Sequence, residues 1–230
     1  MGIRPVERGA AAVRVILSGT VLVTLLTACS TARIEQAGRT MAGIDENEAV
    51  VLLARQQIME EETEESFMSC LHRSLANGDA KLKLYPAQAF VDGLFPWFEP
   101  RTAPPNPDRF GQLLGHSLIR QRLAGMGVRY LVWVDGDTDR VDRGGGISCA
   151  IGPGGGGCFG FAWWEKESSY EASIWDLEHP ASVGKISADV KGTSYLPALI
   201  VPIPLIARTQ TTACKGLAEQ LKEFMGLEEE

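Results

Sequence analysis

Two cysteines bracket a run of glycines in the stretch SCAIGPGGGGCFG, residues 148–160. Three kinds of chemistry use such residues: a glycine loop that holds phosphate, a thiolate site for zinc, and a disulfide that closes a hairpin. A phosphate loop requires a lysine and a hydroxyl residue after the glycines, where this chain has Cys158. A zinc site requires closer cysteines or nearby histidines, and His72, His116 and His179 are isolated in the sequence. The disulfide depends on the compartment in which the chain folds.

A serine motif lies in LLGHSLI, residues 113–119. It resembles the nucleophile elbow G-x-S-x-G of lipases at four positions, but Ile119 replaces the last glycine. The motif also falls inside a helical pattern, whereas an elbow needs a strand to deliver the serine at a sharp turn. We therefore expect His116 and Ser117 to be ordinary helix residues, with an envelope hydrolase that uses Ser117 as the alternative.

The acidic stretch DGDTD, residues 135–139, opens like a calcium loop. Arg140 stands where such a loop has its turn glycine, and Gly146 stands where it has a bidentate glutamate. We therefore interpret the stretch as a solvated hairpin turn, with calcium binding as the alternative. The sequence predicts no catalytic residue, no cofactor and no metal ligand set, and we expect a protein that is not an enzyme.

The first residues of the chain predict an export signal. Three arginines and one glutamate occur in the first fourteen residues, and the apolar run 15–28 follows. A charged segment before a short apolar segment is typical of a secretory signal, and the run is shorter than the roughly 20 residues of a membrane-spanning helix. Loss of residues 1–28 would change the net charge from −7 to about −9, which disfavours nucleic acid as a partner.

The signal ends in Leu26, Thr27, Ala28 and Cys29, which resembles the lipobox of bacterial lipoproteins. The resemblance implies that residues 1–28 are removed and that Cys29 is acylated, for example with palmitate. Two or more acyl chains hold a protein stably at a bilayer. Ser30 follows the cysteine, and by the same resemblance this favours the outer membrane, facing the periplasm, over the inner membrane. The alternative is a soluble secreted protein with an incidental Cys29.

Four further cysteines remain, an even set in an exported protein, and this predicts disulfides. Four cysteines allow three pairings. Local spacing favours Cys149 with Cys158, because Pro153 and the glycines give the turn freedom that a short closure needs. Cys70 would then pair with Cys214 and join the first helix to the last.

Hydrophobic periodicity predicts the elements of the first half. An aliphatic run and a later run that is apolar on both faces indicate buried strands, and apolar residues at helical spacing indicate helices between them. The predicted order is strand, helix, strand, helix, helix, strand, over residues 49–55, 63–78, 81–85, 86–98, 106–125 and 128–134.

The second half of the chain predicts an antiparallel meander. In KISADVKGT, residues 185–193, apolar and polar residues alternate, as they do in a half-buried antiparallel strand. A stripe of apolar residues from Cys214 to Met225 predicts an amphipathic C-terminal helix. Between them lies LPALIVPIPLIA, residues 196–207, whose three prolines exclude a regular helix or a central strand. We expect a buried crossover there, with an exposed docking surface as the alternative.

These elements predict an α/β (α+β) fold with one mixed sheet and helices packed on it. The order, with phrases such as GVRYLVWVDG and EASIWDLE, resembles lipoprotein domains related to the TolB amino-terminal fold, including the penicillin-binding-protein activators. We assign residues 1–28 to the signal, 29–48 to a lipidated tether, 49–226 to one globular domain and 227–230 to a polar tail. The resemblance implies a binding or assembly module.

We therefore expect a non-enzymatic envelope lipoprotein whose membrane contact is the lipid on Cys29. Its partner would be a protein or a cell-wall component. Besides the hydrolase, one further alternative is a carrier that holds a lipid or small molecule with residues 196–207.

Overall fold

The computed structural model describes residues 30–38, 43–45, 47–54, 63–78, 80–98, 104, 107–179 and 181–227. The strands are β1 (Ser30–Gly38), β2 (Ala49–Ala54), β3 (Leu84–Tyr85), β4 (Val128–Gly152), β5 (Gly155–Asp176) and β6 (Ala181–Pro202). The helices are α1 (Glu65–Ala76), α2 (Ala87–Gly93), α3 (Pro107–Leu113), α4 (Ser117–Ala124) and α5 (Thr209–Phe224). No described helix has the length and apolar character that crossing a membrane requires.

All six strands belong to one sheet in the order β1-β6-β5-β4-β2-β3. β2 is parallel to both β3 and β4, whereas β1 is antiparallel to β6. Connections of two residues between β4 and β5, and of four between β5 and β6, suit antiparallel hairpins. The predicted class, a mixed sheet with helices packed on it and a meander in the second half, is confirmed.

Helices cover the sheet on two faces. Phe67 of α1 and Leu217 of α5 pack on one face against Val132 of β4. Phe110 of α3 and the side chains of α2 and α4 pack on the other face against Leu131 of β4. Successive side chains of a strand point to opposite faces, so a strand covered on both sides is apolar throughout. This explains the VRYLVWV run at the start of β4.

The single helix predicted over residues 106–125 is wrong, because two helices stand there. α3 ends at Leu113, and the backbone N–H groups of Gly115 and His116 donate to carbonyls three residues back, at 3.2 and 3.0 Å. Such bonds tighten the last turn of a helix, and glycine is a poor helix former. α4 then begins at Ser117.

Part of the predicted tether forms a strand. Residues 29–48 were assigned to a tether, but Ser30–Gly38 forms β1 and pairs along its whole length with β6, from Ser30 opposite Gly192 to Gly38 opposite Gly184. β1 lies at the edge of the sheet, and residues 30–37 are exposed. The Ile34 side chain approaches Gly216 of α5 so closely that a Cβ on Gly216 would clash with it. Edge strands with few apolar residues give little periodicity to detect.

Backbone contacts divide the described residues into two units. The sheet unit comprises Ser30–Val141, Lys166–Gly192 and the chain from Arg208 onward, and it holds all five of the described helices. The apolar unit comprises Asp142–Glu165 and Thr193–Ala207. Both core clusters described above lie in the sheet unit.

Candidate functional site

The apolar unit carries most of the exposed large apolar side chains of the described residues. Eight of twelve such side chains lie in this unit, although it is much the smaller. They are Ile151, Phe159, Phe161, Leu199, Ile200, Val201, Ile203 and Ile206. Ile151 is 94% exposed and Leu199 is 80% exposed. Such a concentration of exposed apolar surface is typical of a site that contacts a partner or a membrane.

The prediction that residues 196–207 form a buried crossover is therefore wrong: residues 196–202 continue β6, and most of the segment is exposed. Val201 and Ile203 are 64% and 61% exposed, and only Ala198 and Ala207 of the segment are buried. A hydrophobic segment gains free energy of stabilisation when it is buried, but it is buried only where another element packs against it. The exposure of these side chains shows that no described element buries them.

Charge is missing from the apolar unit except at its margins. Residues 144–164 and 193–207 contain no aspartate, glutamate, lysine, arginine or histidine, in a chain that is 22% charged. Along the strands the charged residues stop at Arg143 of β4, resume at Glu165 of β5 and stop again at Lys191 of β6. The exposed surface between these positions is thus both apolar and uncharged.

The hairpin of the apolar unit is closed covalently. β4 ends at Gly152, β5 begins at Gly155, and Pro153 and Gly154 form the turn between them. Cys149 is bonded to Cys158 across the two strands, with 4.0 Å between their Cα atoms. This is the pair that local spacing predicts. The glycines therefore serve the geometry of a hairpin, and no phosphate loop forms here.

The apolar segment closes on itself through the backbone. Tyr195 and Leu205 exchange two N–H to carbonyl hydrogen bonds of 2.8 Å, and the Ile203 N–H donates to the Pro197 carbonyl at 3.0 Å. The Ala207 N–H donates to the Ser194 hydroxyl oxygen at 3.1 Å. The phenol ring of Tyr195 also stacks on Phe161, with ring centroids 5.9 Å apart. The end of β6 and the residues that follow it therefore present their side chains from a defined backbone.

A buried polar network occupies the sheet unit near the start of α1. Glu64, which precedes α1, accepts a hydrogen bond from the Tyr170 hydroxyl of β5 and another from the Gln210 amide of α5. The Thr138 hydroxyl of β4 lies 2.9 Å from the Tyr170 hydroxyl. Tyr170 is only 1% exposed, and its ring stacks on Phe67 with centroids 3.4 Å apart. The network thus ties both N-termini of the packed helices to the sheet.

The same network continues deeper into the sheet unit. The Ser168 hydroxyl lies 2.8 Å from the Thr138 hydroxyl and donates to the Thr209 hydroxyl at 2.9 Å. Burial raises the pKa of Tyr170, and its hydrogen bond to the Glu64 carboxylate raises it further. Tyr170 therefore stays neutral at physiological pH and acts as a hydrogen-bond donor. Its burial leaves no room for a substrate, so we interpret the network as structural.

A second disulfide lies beside this network. Cys70 of α1 is bonded to Cys214 of α5, with a Cα separation of 6.3 Å, and this is the second predicted pair. Beside it is a cavity of about 390 Å³ whose lining includes Arg73, Gln210 and Lys215. Two cations and several hydroxyl groups line it, but no acidic side chain does.

A cluster of ionic side chains lies where β5 ends. The Arg129 guanidinium donates to Asp176 at 3.0 Å and pairs with Glu178. Asp176 also accepts the backbone N–H groups of Glu178 and His179, each at 2.9 Å. Arg129 and Glu178 line a neighbouring cavity of about 500 Å³. Because the carboxylates already accept hydrogen bonds from groups of this chain, we interpret the cluster as a set of contacts that stabilises the connection between β5 and β6.

The serine motif does not form a nucleophile elbow. His116 precedes α4 and Ser117 is its first residue, and both are exposed. The preceding element is helix α3 instead of a strand, so the sharp strand-to-helix turn of a hydrolase is missing at this position. No hydrogen bond between Ser117 and His116 is present in this described stretch. The geometry gives the hydrolase alternative no support.

The DGDTD stretch is part of a strand, so the predicted hairpin turn is wrong. Residues 135–139 continue β4, and the turn comes only at Pro153 and Gly154. Gly136 has φ +133°, and a Cβ there would lie 2.7 Å from the Tyr170 Cα, so glycine permits a close approach of β5. Thr138 meanwhile enters the buried network. Within the described residues, no three histidine, cysteine or acidic side chains come together as a metal site requires.

The predicted lipidation site lies outside the described residues. Cys29 is joined to Ser30, the first residue of β1. Residues 196–207 are the segment that would hold a lipid or small molecule in the carrier alternative. Most of this segment is exposed, and the three cavities described in this structure are lined by other residues. Sequence reasoning missed the two uncharged stretches, 144–164 and 193–207, which could have been found from the positions of Arg143, Glu165 and Lys191.

Known proteins share little similarity with this chain. No protein-family model matches this chain, and no curated protein matches it. Among solved structures, two of PelC dodecamers from Paraburkholderia phytofirmans match 86% of this chain and 99% and 98% of theirs. Both are 15% identical to this chain, with TM-scores of 0.35 and 0.34. Similarity at this level bears on neither the function nor the partners of this chain.

Proposed function

We propose that this chain is an envelope lipoprotein, anchored by lipid on Cys29, whose globular part is a non-enzymatic binding module. The observation that carries the proposal is the pair of disulfides, Cys70–Cys214 and Cys149–Cys158. Structural disulfides persist in oxidising compartments such as the periplasm and are rare in the cytosol. They support export, as the LTAC stretch at residues 26–29 does independently.

The binding role is supported by the apolar unit. Exposure of Leu199, Ile203 and Ile151 to water is unfavourable in free energy. A partner or a membrane that covers them would remove this cost. The disulfide and the backbone bonds hold these side chains on fixed supports, which lowers the entropy lost on contact. The apolar unit is therefore the contact surface of the proposed module.

Mass spectrometry of the protein purified from membranes tests the anchor. We expect the chain to begin at an acylated Cys29 and to yield no alkylated thiol when it is denatured without reductant. A Cys29→Ala variant should keep residues 1–28 and lack the acyl mass. An unmodified Cys29 in a chain found in the soluble fraction would contradict the proposal and favour the soluble secreted alternative.

A photo-crosslinking residue at position 199 tests the contact surface in intact cells. We expect crosslinks from this position to an envelope component, and none from position 118 of α4, which is a similarly exposed leucine in the sheet unit. Equal crosslinking from both positions would show that the apolar unit has no special role in contacts.

A further inference from the structure

We propose that the apolar unit sits in the surface of a lipid bilayer, with the side chains around residues 199–206 and the tip of the β4–β5 hairpin among the lipids. This inference rests on the proposed function and names the material that covers its contact surface. The apolar unit would be a second membrane contact of the chain, separate from the lipid on Cys29.

The first argument is charge. Protein interfaces have a polar rim that carries charged residues around an apolar centre. A bilayer instead penalises every charged side chain that enters it. The apolar unit has no charged residue in 144–164 or 193–207, while its exposed surface carries Ile151, Phe159 and Leu199. Complete absence of charge over such an exposed surface fits lipid better than protein.

The second argument is the order of side chains along the strands. In β5 the apolar Phe159 and Phe161 come first, then Trp163 and Trp164, and then the first charge at Glu165. Tryptophan and tyrosine are enriched at the boundary between lipid and water, with apolar residues deeper and charges outside. β6 has the reverse order, from Lys191 through Tyr195 to residues 199–206.

The third argument is the backbone. Non-aqueous surroundings make each unpaired N–H costly. Pro197, Pro202 and Pro204 have no N–H to satisfy. The N–H groups of Tyr195, Ile203 and Leu205 donate to carbonyls within the segment, and that of Ala207 donates to Ser194. The three prolines and the four bonded N–H groups reduce the number of donors that the lipid boundary would leave unpaired.

The fourth argument is the attachment of the anchor. Ser30 pairs with Gly192 of β6, and Cys29 is covalently joined to Ser30. Gly192 is followed by Thr193, where the uncharged segment begins. Because β1 and β6 are antiparallel, the chain direction toward Cys29 is the direction in which β6 loses its charged residues. The first residue of β1 and the last charged residues of β6 therefore lie at the same end of the β1–β6 pairing.

Photolabelling tests the proposal with the lipidated protein in vesicles of phosphatidylethanolamine and phosphatidylglycerol that contain a photoactivatable phospholipid. Trypsin cleaves after Arg143, Lys166, Lys191 and Arg208, so peptides 144–166 and 192–208 report on the apolar unit. We expect label on both, and on the N-terminal lipopeptide. Phosphatidylcholine vesicles should give the same pattern, because the surface is uncharged.

Two variants provide a matched control. Ile203→Asp changes the apolar unit and Leu118→Asp changes α4, and both residues are 61% exposed, so neither substitution disturbs a core. We expect Ile203→Asp to lower the labelling of peptide 192–208 by roughly tenfold, because a carboxylate partitions poorly into lipid. Leu118→Asp should leave it unchanged. Equal effects of the two variants would overturn the proposal.

The outcomes separate this inference from the anchor. Label on peptide 192–208 in a chain whose Cys29 proves unmodified would support the membrane contact and contradict the lipid anchor. Label confined to the N-terminal lipopeptide of an acylated chain would overturn the membrane contact and leave the anchor intact. Crosslinks from the apolar unit to a protein, with no lipid label, would also overturn it.

Discussion

The sheet unit and the apolar unit place their large apolar side chains in opposite environments. Phe67, Ile174 and Leu217 of the sheet unit are 0% exposed, whereas Leu199 and Ile203 of the apolar unit are 80% and 61% exposed. The first set stabilises the fold through burial. The second set contributes little to folding, so its apolar character has to be explained by what the unit contacts.

The two disulfides show the same division. Cys70–Cys214 links residues 144 apart and joins α1 to α5 of the sheet unit, whereas Cys149–Cys158 links residues nine apart within one hairpin. Closing a long loop removes more entropy from the unfolded chain than closing a short one. One disulfide therefore stabilises the fold and the other shapes a surface.

The largest effect is expected for a charge placed in the sheet unit. Leu217→Asp introduces a carboxylate at a position that is 0% exposed among apolar side chains. An unpaired buried charge is among the few changes that cost more than about 4 kcal/mol, so the variant should be unfolded or degraded. A folded variant, by circular dichroism and urea titration, would contradict the burial described for α5.

Removal of the long disulfide should have the next largest effect. We expect Cys70→Ala with Cys214→Ala to lower the free energy of unfolding by about 4 to 5 kcal/mol, since the loop spans 144 residues. The same double change at Cys149 and Cys158 should cost less than about 3 kcal/mol. Urea denaturation measures both, and a larger loss from the hairpin pair would reverse the comparison.

Loss of one hydroxyl tests the buried network. Tyr170→Phe keeps the ring stacked on Phe67 but removes the hydrogen bonds to Glu64 and Thr138. We expect the free energy of unfolding to fall by about 1 to 2 kcal/mol. Tyr195→Phe in the apolar unit is the control and should change it less, because that side chain is only half-buried.

Alkaline pH should weaken the same network. Burial and Glu64 raise the pKa of Tyr170 above its ordinary value of 10.0, so the folded protein holds this proton more tightly than the unfolded chain. The stabilisation that the protonated Tyr170 gives to the folded state is complete below pH 10 and is lost progressively as the pH rises above it. Urea titrations on either side of pH 10 should show a smaller alkaline loss for Tyr170→Phe than for the unchanged protein.

The smallest effect on stability is expected in the apolar unit. Leu199→Asp replaces a side chain that is 80% exposed, so the free energy of unfolding should change by no more than about 0.5 kcal/mol. The same chemical change at Leu217 is expected to unfold the protein. A destabilisation of Leu199→Asp comparable to that of a core variant would show that residues 196–207 are packed.

Sequence patterns predicted the sheet unit far better than the apolar unit. The apolar periodicity of α1 and α5 and the two-faced run of β4 record burial directly, because buried positions recur at the period of the element. Local spacing predicted the Cys149–Cys158 pair, and Cys70–Cys214 was the pair that remained. β1 escaped detection because an edge strand needs few apolar residues, and DGDTD escaped because a glycine that permits close strand approach resembles a turn signal.

The error at residues 196–207 has a different cause. A hydrophobic segment is buried only if another element covers it, and local sequence does not report whether such an element is present. The missing charges in 144–164 and 193–207 were visible in the sequence. Their meaning emerged only when β4, β5 and β6 brought these stretches into one unit.

Tryptophan fluorescence in brominated vesicles tests most directly whether the apolar unit faces lipid. Trp163 and Trp164 lie in the apolar unit, and the other three tryptophans lie in the sheet unit. We predict that brominated phospholipid quenches the fluorescence of the lipidated protein, and that Trp163→Phe with Trp164→Phe removes this quenching. Quenching that is absent from the unchanged protein, or that persists in the double variant, would contradict the account.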